Sequence, residues 1–332
     1  MQRICSEHGP SESVLASDAR FYWLSQGASA TIENEATTEN RVSACRSASL
    51  DGCAGTMGSN AGRPGHIEKL ATCLALIEIV DSCNLACPTC FADSPAGVGS
   101  KVKARPLAEL QDRINGVIAR KGRLEILQLS GGEPTLHPEF FELVRWAQEH
   151  PHIDMLLINT NGVRIAQDDE FFDGCATMAA RKGIQLYLQY DGPQLAGQRD
   201  LRGADLRALR SRVLNRCGEI GLPVTLAMTV IPENLPHVWE AIQVGLAFPH
   251  VHGITFQPMF GSGRVPLRVP SRVTAADIVI SAMTASEGKL SAADFTPLPC
   301  GDPNCAIIGY LLRVGSEVRS ISDFVDFTKL QG

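Results

Sequence analysis

Cys83, Cys87 and Cys90 stand in the run Cys83-Asn84-Leu85-Ala86-Cys87-Pro88-Thr89-Cys90, a C-x3-C-x2-C cluster. Thiolates this close in sequence can hold one metal centre. Three is one short of the four ligands that a closed zinc site or an electron-transfer 4Fe-4S cluster takes. A cubane held by three cysteines keeps one iron free of protein, an open position for a substrate or cofactor. Other readings of the run stay open here: a zinc knuckle completed by His66 or Cys73, a ferredoxin-type cluster, or a redox pair of Cys87 and Cys90.

A second constellation is Gly131-Gly132-Glu133-Pro134. Its glycines let backbone approach a ligand that any side chain would obstruct, and Pro134 fixes the exit from a strand. Further on, Asn159-Thr160-Asn161-Gly162 and Gln189-Tyr190-Asp191-Gly192 supply amide and carboxylate groups. Asn159, Asn161, Gln189 and Asp191 suit ligand contact, and each suits a turn equally well, because Asn-Gly and Asp-Gly are good turn dipeptides.

These residues need elements to position them. From residue 73 short apolar strands alternate with amphipathic helices. The pattern predicts strands near 74–80, 124–129, 154–159, 184–190, 223–230 and 253–257, and helices near 106–120, 138–149, 169–181, 203–219, 236–246 and 274–287. Pro106 marks one helix start, His137-Pro138-Glu139 a second, and Thr274 with Asp277 a third. Six β-α units imply a parallel sheet with right-handed crossovers. Six fall short of the eight of a closed barrel, so the expected α/β fold is an open partial (β/α)6 barrel. Each polar motif falls at the carboxyl end of a strand, where such folds bind ligands. Met228-Thr229 and Gln257-Pro258-Met259 add the fifth and sixth strand ends.

The expected division is a loop-rich segment over 1–70, the partial barrel over 71–290 and a short C-terminal extension over 291–332. Within the first, one short helix is expected around Asp18–Ser25. The chain has 332 residues, an apolar fraction of 44% and a net charge of −6, without a Lys/Arg tract. That balance suits a globular protein and argues against nucleic-acid binding. No apolar run reaches the length of a membrane span, and the start Met1-Gln2-Arg3-Ile4-Cys5 lacks the apolar core of a signal peptide. Eleven cysteines then point to a reducing compartment, the cytoplasm, and to metal ligation rather than disulfides.

The cysteine run after one strand and the Gly-Gly-Glu-Pro turn after the next resemble the radical S-adenosylmethionine (SAM) superfamily. The resemblance implies that Cys83, Cys87 and Cys90 hold a 4Fe-4S cluster whose fourth iron is chelated by SAM. It places the SAM amino group at Gly131, Gly132, Glu133 and Pro134, with the Glu133 carboxylate nearby. Asn159 and Asn161 would meet ribose hydroxyls or the SAM carboxylate, Gln189 and Asp191 the cofactor or substrate, and Phe91 the adenine, unless Phe91 is ordinary core. The implied chemistry is reductive cleavage of SAM to a 5′-deoxyadenosyl radical, with the electron from a low-potential donor such as flavodoxin or ferredoxin.

A narrower resemblance rests on Cys83 to Ala92, Leu129 to Thr135, Gln189-Tyr190-Asp191-Gly192 with Leu201-Arg202-Gly203, Phe256-Gln257-Pro258, and Phe295-Thr296-Pro297-Leu298-Pro299-Cys300. These resemble the group of tetraether lipid synthase and the methanogen pterin radical SAM methylases. The start, Cys5-Ser6-Glu7-His8-Gly9, is similar to that group's N-terminal module, but no Cys-x-x-Cys pair precedes it. A complete four-sulfur iron site is therefore not expected there. The group uses the segment of Cys300 and Cys305 for an additional cluster, which implies a second iron–sulfur centre; Cys5, Cys45, Cys53 and Cys73 are candidates to complete it. Cys175 and Cys217 fall in expected helices and read as small buried hydrophobes. His8, His137 and His237 read as turn or capping residues.

The implied activity is carbon–carbon bond formation or methylation on a lipid or pterin-like small molecule. The alternatives are a maturase acting on a peptide or cofactor, and a non-catalytic iron–sulfur paralogue.

Overall fold

The computed structural model describes residues 2–5, 7–12, 14, 16–18, 74–181, 183–265, 272–297, 307–315 and 317–325. Residues 19–25 of the expected first helix, and the ligand candidates Cys45, Cys53, His66, Cys73, Cys300 and Cys305, lie outside that set.

The chain opens with an antiparallel hairpin, β1 (Gln2–Cys5) and β2 (Gly9–Glu12), in register from Gln2↔Glu12 to Cys5↔Gly9. The composition of this region reads as loop, and four-residue strands are too short to show an alternating pattern. The central sheet follows. Its elements are β3 (Leu74–Val80), α1 (Leu107–Lys121), β4 (Leu124–Gly131), α2 (Phe140–Glu149), β5 (Ile153–Thr160), the short α3 (Val163–Gln167), and α4 (Asp169–Ala180). Then come β6 (Ile184–Gln189), the short α5 (Gln198–Arg202), α6 (Arg207–Glu219), β7 (Val224–Val230), α7 (Val238–Ala247), β8 (Val251–Pro258) and α8 (Ala275–Ala285).

Strands β3 to β8 form one parallel six-stranded sheet in sequence order. Crossovers of one hand between sequential strands put every helix on the same face. That face is the core: Leu127, Leu129, Leu156, Ile158, Leu186 and Leu226 pack against Leu110, Ile114, Leu143, Phe171 and Val213. Most are fully buried, and each contributes about 1.5–3 kcal/mol by leaving water. The strands alternate, so their other residues face away from the helices. β3 and β8 pair with no common neighbour, which leaves the sheet open as the six-unit count predicts.

Local signals set the boundaries. α1 follows Pro106 and stops at Gly122, whose φ of +98° suits glycine. α8 starts at a capping box: Asp277 N–H donates to Thr274 Oγ1 (3.4 Å) and Thr274 N–H to Asp277 Oδ2 (2.7 Å). Ser17 reaches the same cap, its hydroxyl 3.2 Å from Thr274 Oγ1, and so ties the N-terminal segment to the barrel. Two antiparallel pairs, β9 (Phe295–Pro297) with β10 (Ile307–Gly309) and β11 (Leu311–Val314) with β12 (Glu317–Ser320), lie beyond α8. Among the described residues no helix is long and apolar enough to cross a membrane.

Candidate active site

β3 ends on the fully buried Ile79 and Val80, and the chain then enters the cysteine loop. Cys83 N–H donates to Pro95 O and Gly97 N–H to Cys83 O, both at 2.9 Å, folding the loop back on itself. Its far side is held from beyond β8. Cys90 N–H donates to Arg264 O (2.9 Å) and Arg264 N–H to Cys90 O (2.8 Å). The Arg264 guanidinium donates to Cys87 O (2.9 Å) and Ser94 O (2.7 Å). Gly263 makes the approach possible: at φ +65°, a Cβ there would lie 2.3 Å from Cys90 O. Arg264 went unmarked in the sequence, where only the neighbouring Gly261-Ser262-Gly263 hinted at a close backbone approach.

All three thiols are half-buried and free of disulfides. Leu85 N–H and Asn161 Nδ2 donate to Cys83 Sγ at 3.4 and 3.7 Å. Burial pushes the Cys83 thiol up to about 11, the Leu85 hydrogen bond opposes it, and Glu133, Cys87 and Cys90 raise it further by charge. Thiols that repel one another as thiolates are the donor set for a cationic centre, whose binding displaces their protons. Among the described residues no three His, Cys, Asp or Glu side chains converge on a single ion. A cubane spreads its liganded irons over separate corners, so thiols set apart around a loop suit it better than they suit one zinc.

The Gly-Gly-Glu-Pro turn is zipped to that loop. Gly132 N–H donates to Val80 O (2.8 Å) and Glu133 N–H to Ser82 O (2.9 Å), extending the β3–β4 pairing to the residue before Cys83. A Cβ on Gly131 would lie 2.1 Å from Val80 O, and one on Gly132 2.1 Å from Ser82 O. This corrects the sequence reading of both glycines. On the side a Cβ would take, the space they keep clear is filled by backbone, that of Val80 for Gly131 and of Asp81 and Ser82 for Gly132. Gly131, at φ +130°, is in addition in a conformation that side-chain-bearing residues avoid.

Glu133 differs from expectation too. Its carboxylate is buried and accepts four hydrogen bonds: from Thr135 N–H (3.3 Å), Thr135 Oγ1 (2.7 Å) and Thr160 Oγ1 (2.7 Å) on Oε1, and from Asn161 N–H (2.7 Å) on Oε2. Burial pushes its pKa above the usual carboxylate range, against those donors. Both oxygens are taken, so the side chain braces β4 against β5 and leaves ligand contact to the turn's backbone. Pro134 is buried in the first turn of the 3-10 segment Pro134–Leu136.

Asn161 reaches from the end of β5 into the cysteine loop, donating to Asn84 Oδ1 (2.6 Å) as well as to Cys83. Asn159 accepts from Gln128 Nε2 (2.5 Å) and donates to Ser130 Oγ (3.0 Å) on the half-buried side of the sheet. Phe91 is 58% exposed beside the loop, which removes ordinary core packing as its explanation.

Asp191 lies at the end of β6, as expected, and takes the turn alternative of its Asp-Gly dipeptide. It sits in the left-handed region at φ +61°, 1% exposed. Its Oδ1 accepts from Gln189 Nε2 (2.7 Å), Arg202 Nη2 (2.9 Å) and Thr229 N–H (3.2 Å), and its Oδ2 from Arg202 Nε (2.6 Å). Burial raises its pKa, but the Arg202 charge and hydrogen bonds, with Arg210, hold it below the ordinary carboxylate value. The carboxylate is therefore an internal anchor with no free oxygen for cofactor or substrate. Gln189 remains on the half-buried face next to Thr229, 3.4 Å from its hydroxyl.

That helix-free face is lined with amides and hydroxyls. Gln128, Ser130 and Asn159 form one hydrogen-bonded group; Gln185 donates to Thr225, and Gln257 Nε2 donates to Tyr187 Oη (2.9 Å). Gln185, Tyr187 and Gln189 escaped sequence reasoning as a set, although polar residues at every second position of an otherwise apolar strand were the available signal.

The chain belongs to the radical SAM superfamily, whose profile matches residues 77–244. Among curated proteins it is 24% identical over 320 residues to the 7,8-dihydro-6-hydroxymethylpterin dimethyltransferase of Methanocaldococcus jannaschii, covering 93% of this chain and 58% of that one. It is 29% identical over 146 residues to the mycofactocin maturase MftC of Mycobacterium ulcerans, covering 43% of this chain and 36% of that one. The chain thus spans less than two thirds of these relatives. Among solved structures, Streptococcus suis SuiB bound to S-adenosylmethionine aligns with 60% of this chain and 44% of its own, at 18% identity and a TM-score of 0.46. The radical S-adenosylmethionine methyltransferase TsrM of Kitasatospora setae, solved with cobalamin and a [4Fe-4S] cluster bound, aligns with 70% of this chain and 42% of its own, at 16% identity and a TM-score of 0.39.

Proposed function

We propose that this chain is a radical SAM enzyme that methylates, or forms a carbon–carbon bond on, a small hydrogen-bonding heterocycle of the pterin kind. The observation that carries the reading is the joint between the two motifs: the Gly-Gly-Glu-Pro turn is hydrogen-bonded to Val80 and Ser82, immediately before Cys83. Cys83, Cys87 and Cys90 would hold a 4Fe-4S cluster, and the backbone of Gly132 to Pro134 with Asn161 would receive SAM. When bound, that pair supplies reductive cleavage of SAM and a 5′-deoxyadenosyl radical able to take a hydrogen atom from carbon.

The chain's own residues do the rest. Glu133 fixes the turn to β5, and Arg264 fixes the cysteine loop to the far edge of the sheet. Asn159, Tyr187, Gln189 and Thr229, with the buried Gln128 and Ser130 behind Asn159, present donors and acceptors on the face opposite the helices. Such a lining suits a ring bearing amides and ring nitrogens, and it suits a lipid chain poorly, since buried polar groups must keep hydrogen-bond partners. The Methanocaldococcus relative, named for a pterin substrate, agrees with this lining. A low-potential flavodoxin or ferredoxin is the electron donor that the reading requires. A second cluster at Cys300 and Cys305 belongs to the same reading, as does a cytoplasmic location.

The test is incubation of the reconstituted enzyme and reductant with methyl-labelled SAM and a reduced hydroxymethylpterin. Label in the pterin is the expected result. SAM cleavage without label in any pterin, but with a modified peptide when peptides are offered, would replace this reading with the maturase one.

A further inference from the structure

Strand alternation leaves a single acidic or basic side chain on the helix-free face of the six-stranded sheet. On β4 to β8 the positions between the core residues are apolar, amide, hydroxyl or glycine, and none is Asp, Glu, Lys or Arg. On β3, Ile77 and Ile79 pack towards the helices, so Leu76 and Glu78 face the other way. The register agrees: Leu76 pairs with Gln128 and Glu78 with Ser130 across the β3–β4 ladder. Ser130 Oγ accepts from Asn159 Nδ2 (3.0 Å), so Glu78 carries the row of polar groups onto the first strand.

The Glu78 carboxylate is exposed, and among the described residues it has no ion pair and accepts no hydrogen bond. The adjacent cation, Arg105, is committed elsewhere. Its Nε donates to Glu78 O (3.2 Å), and its terminal nitrogens face Asp81 (3.7 Å) and Glu109 (3.9 Å). The backbone beneath the carboxylate is fixed from both sides, by β4 and by Arg105, whose N–H donates to Ile79 O (3.0 Å). The ladder register shifts between Glu78 and Val80, an irregularity of the kind that re-aims a side chain beside a site. Only Ile79-Val80-Asp81-Ser82 separates Glu78 from Cys83. An acceptor-only group left open on a face of neutral amides and hydroxyls selects for donors in its ligand.

We infer that Glu78 is the specificity-determining carboxylate of the substrate face, and that it takes a heterocycle edge on which an exocyclic amino group and a ring N–H lie side by side, as in a 2-amino-4-oxopyrimidine. This rests on the pterin reading above, because a reduced pterin carries that edge. Two parallel N–H groups meet the two carboxylate oxygens as a guanidinium fork does, and the charge strengthens both bonds. A lipid chain offers no donor. A ring with a carbonyl in place of the amino group turns an acceptor towards the carboxylate and leaves one of its oxygens unpaired. Glu78 binds and orients the ring; no bond is made or broken at it.

The experiment is calorimetry on the full chain, anaerobically reconstituted and saturated with SAM without reductant, as wild type, Glu78→Gln and Glu78→Ala. The probes are a reduced hydroxymethylpterin and the matching lumazine, in which a 2-oxo group replaces the 2-amino group. Wild type should bind the pterin more tightly than the lumazine by about tenfold or more. Glu78→Gln presents one acceptor and one donor, which match the ring N–H and 2-oxo group of the lumazine, so its preference should reverse. Glu78→Ala should bind both rings weakly and without preference. Iron content and SAM affinity should stay at the wild-type level in both variants. A merely structural residue would not exchange one preference for the other. Retention of the wild-type preference by either variant overturns the assignment. Loss of iron from both variants also overturns it, making Glu78 a support of the cysteine loop. A wild type that binds the two rings equally overturns it and leaves the pterin reading standing. A wild type that binds neither ring fails the pterin reading itself and takes this inference with it.

Discussion

Cys90 and Arg264 exchange a reciprocal pair of backbone hydrogen bonds, at 2.9 and 2.8 Å, across the open side of the sheet. The first residue belongs to the loop after β3 and the second to the segment after β8, the two edge strands. An open parallel sheet has no strand ladder to hold its edges together. Here the cysteine loop spans them, so the position of the thiols depends on closure of the barrel as well as on their own loop.

Gly263→Ala tests that dependence. The new Cβ would meet Cys90 O and Phe91 O at 2.3 and 2.4 Å, at a φ of +65° that alanine avoids. Strain and collision together should cost about 1–3 kcal/mol and loosen the loop. Amide exchange at residues 83–90 should accelerate while that of β5 and β6 stays unchanged. Equal protection in both proteins would show that the contact is dispensable.

Gly132→Val should disrupt the cysteine loop itself. Its side chain would run into Ser82 O, at 2.1 Å from the Cβ, and Asp81 O, at 2.8 Å. Iron loading should fall along with SAM affinity. A variant that keeps a full cluster and loses only SAM affinity would return the glycine to the ligand.

How far this was legible from sequence differs residue by residue. The strands and main helices follow from apolar periodicity, and the six expected strands match β3 to β8 within a residue or two at each end. The cysteines and the Gly-Gly-Glu-Pro turn were visible because their chemistry is local. The assignments of Glu133 and Asp191 to ligand contact were not supported by the structure for one physical reason. A carboxylate at a strand end looks available in one dimension, whereas Thr160, Asn161 and Arg202 close on it only in three. Arg264 was hidden for the same reason, lying more than a hundred residues from the cysteine backbone it holds. The short α3 and α5 follow strand ends without an apolar stripe, so periodicity did not separate them from loops.

Glu133→Ala should leave four buried donors without their acceptor, which costs about 3 kcal/mol or more given roughly 1–3 kcal/mol for each unsatisfied buried group. Glu133→Gln should cost less and should change the pH dependence. The folded carboxyl titrates above its ordinary value of 4.5, so the folded state holds the proton more tightly than the unfolded chain. Its contribution is thus present below 4.5 and is lost as pH rises through the elevated value. Urea unfolding over this range should show a shallower decline with pH in Glu133→Gln than in wild type; parallel curves would remove Glu133 from the account.

Asp191→Ala should destabilise by about 3–5 kcal/mol, because it strands Arg202 and Arg210 without their counter-charge. The linkage has the opposite sign to that of Glu133. The Asp191 pKa lies below its ordinary 3.8, so its stabilisation is present above 3.8 and is lost as pH falls through the depressed value. Denaturation midpoints measured on the acid side should therefore converge for wild type and Asp191→Asn as pH falls. A gap that stays constant down to the acid limit would mean that the carboxylate's charge is not what matters.

The central claim is that Cys83, Cys87 and Cys90 hold a cluster that cleaves SAM. The most direct measurement is 5′-deoxyadenosine production by anaerobically reconstituted protein under a low-potential reductant, with wild type beside the Cys83→Ala/Cys87→Ala/Cys90→Ala variant. Wild type should form 5′-deoxyadenosine and the triple variant none, since no thiolate set for the cluster remains. Persistent 5′-deoxyadenosine from the triple variant, or none from a wild type carrying its full complement of iron and sulfide, would contradict the account.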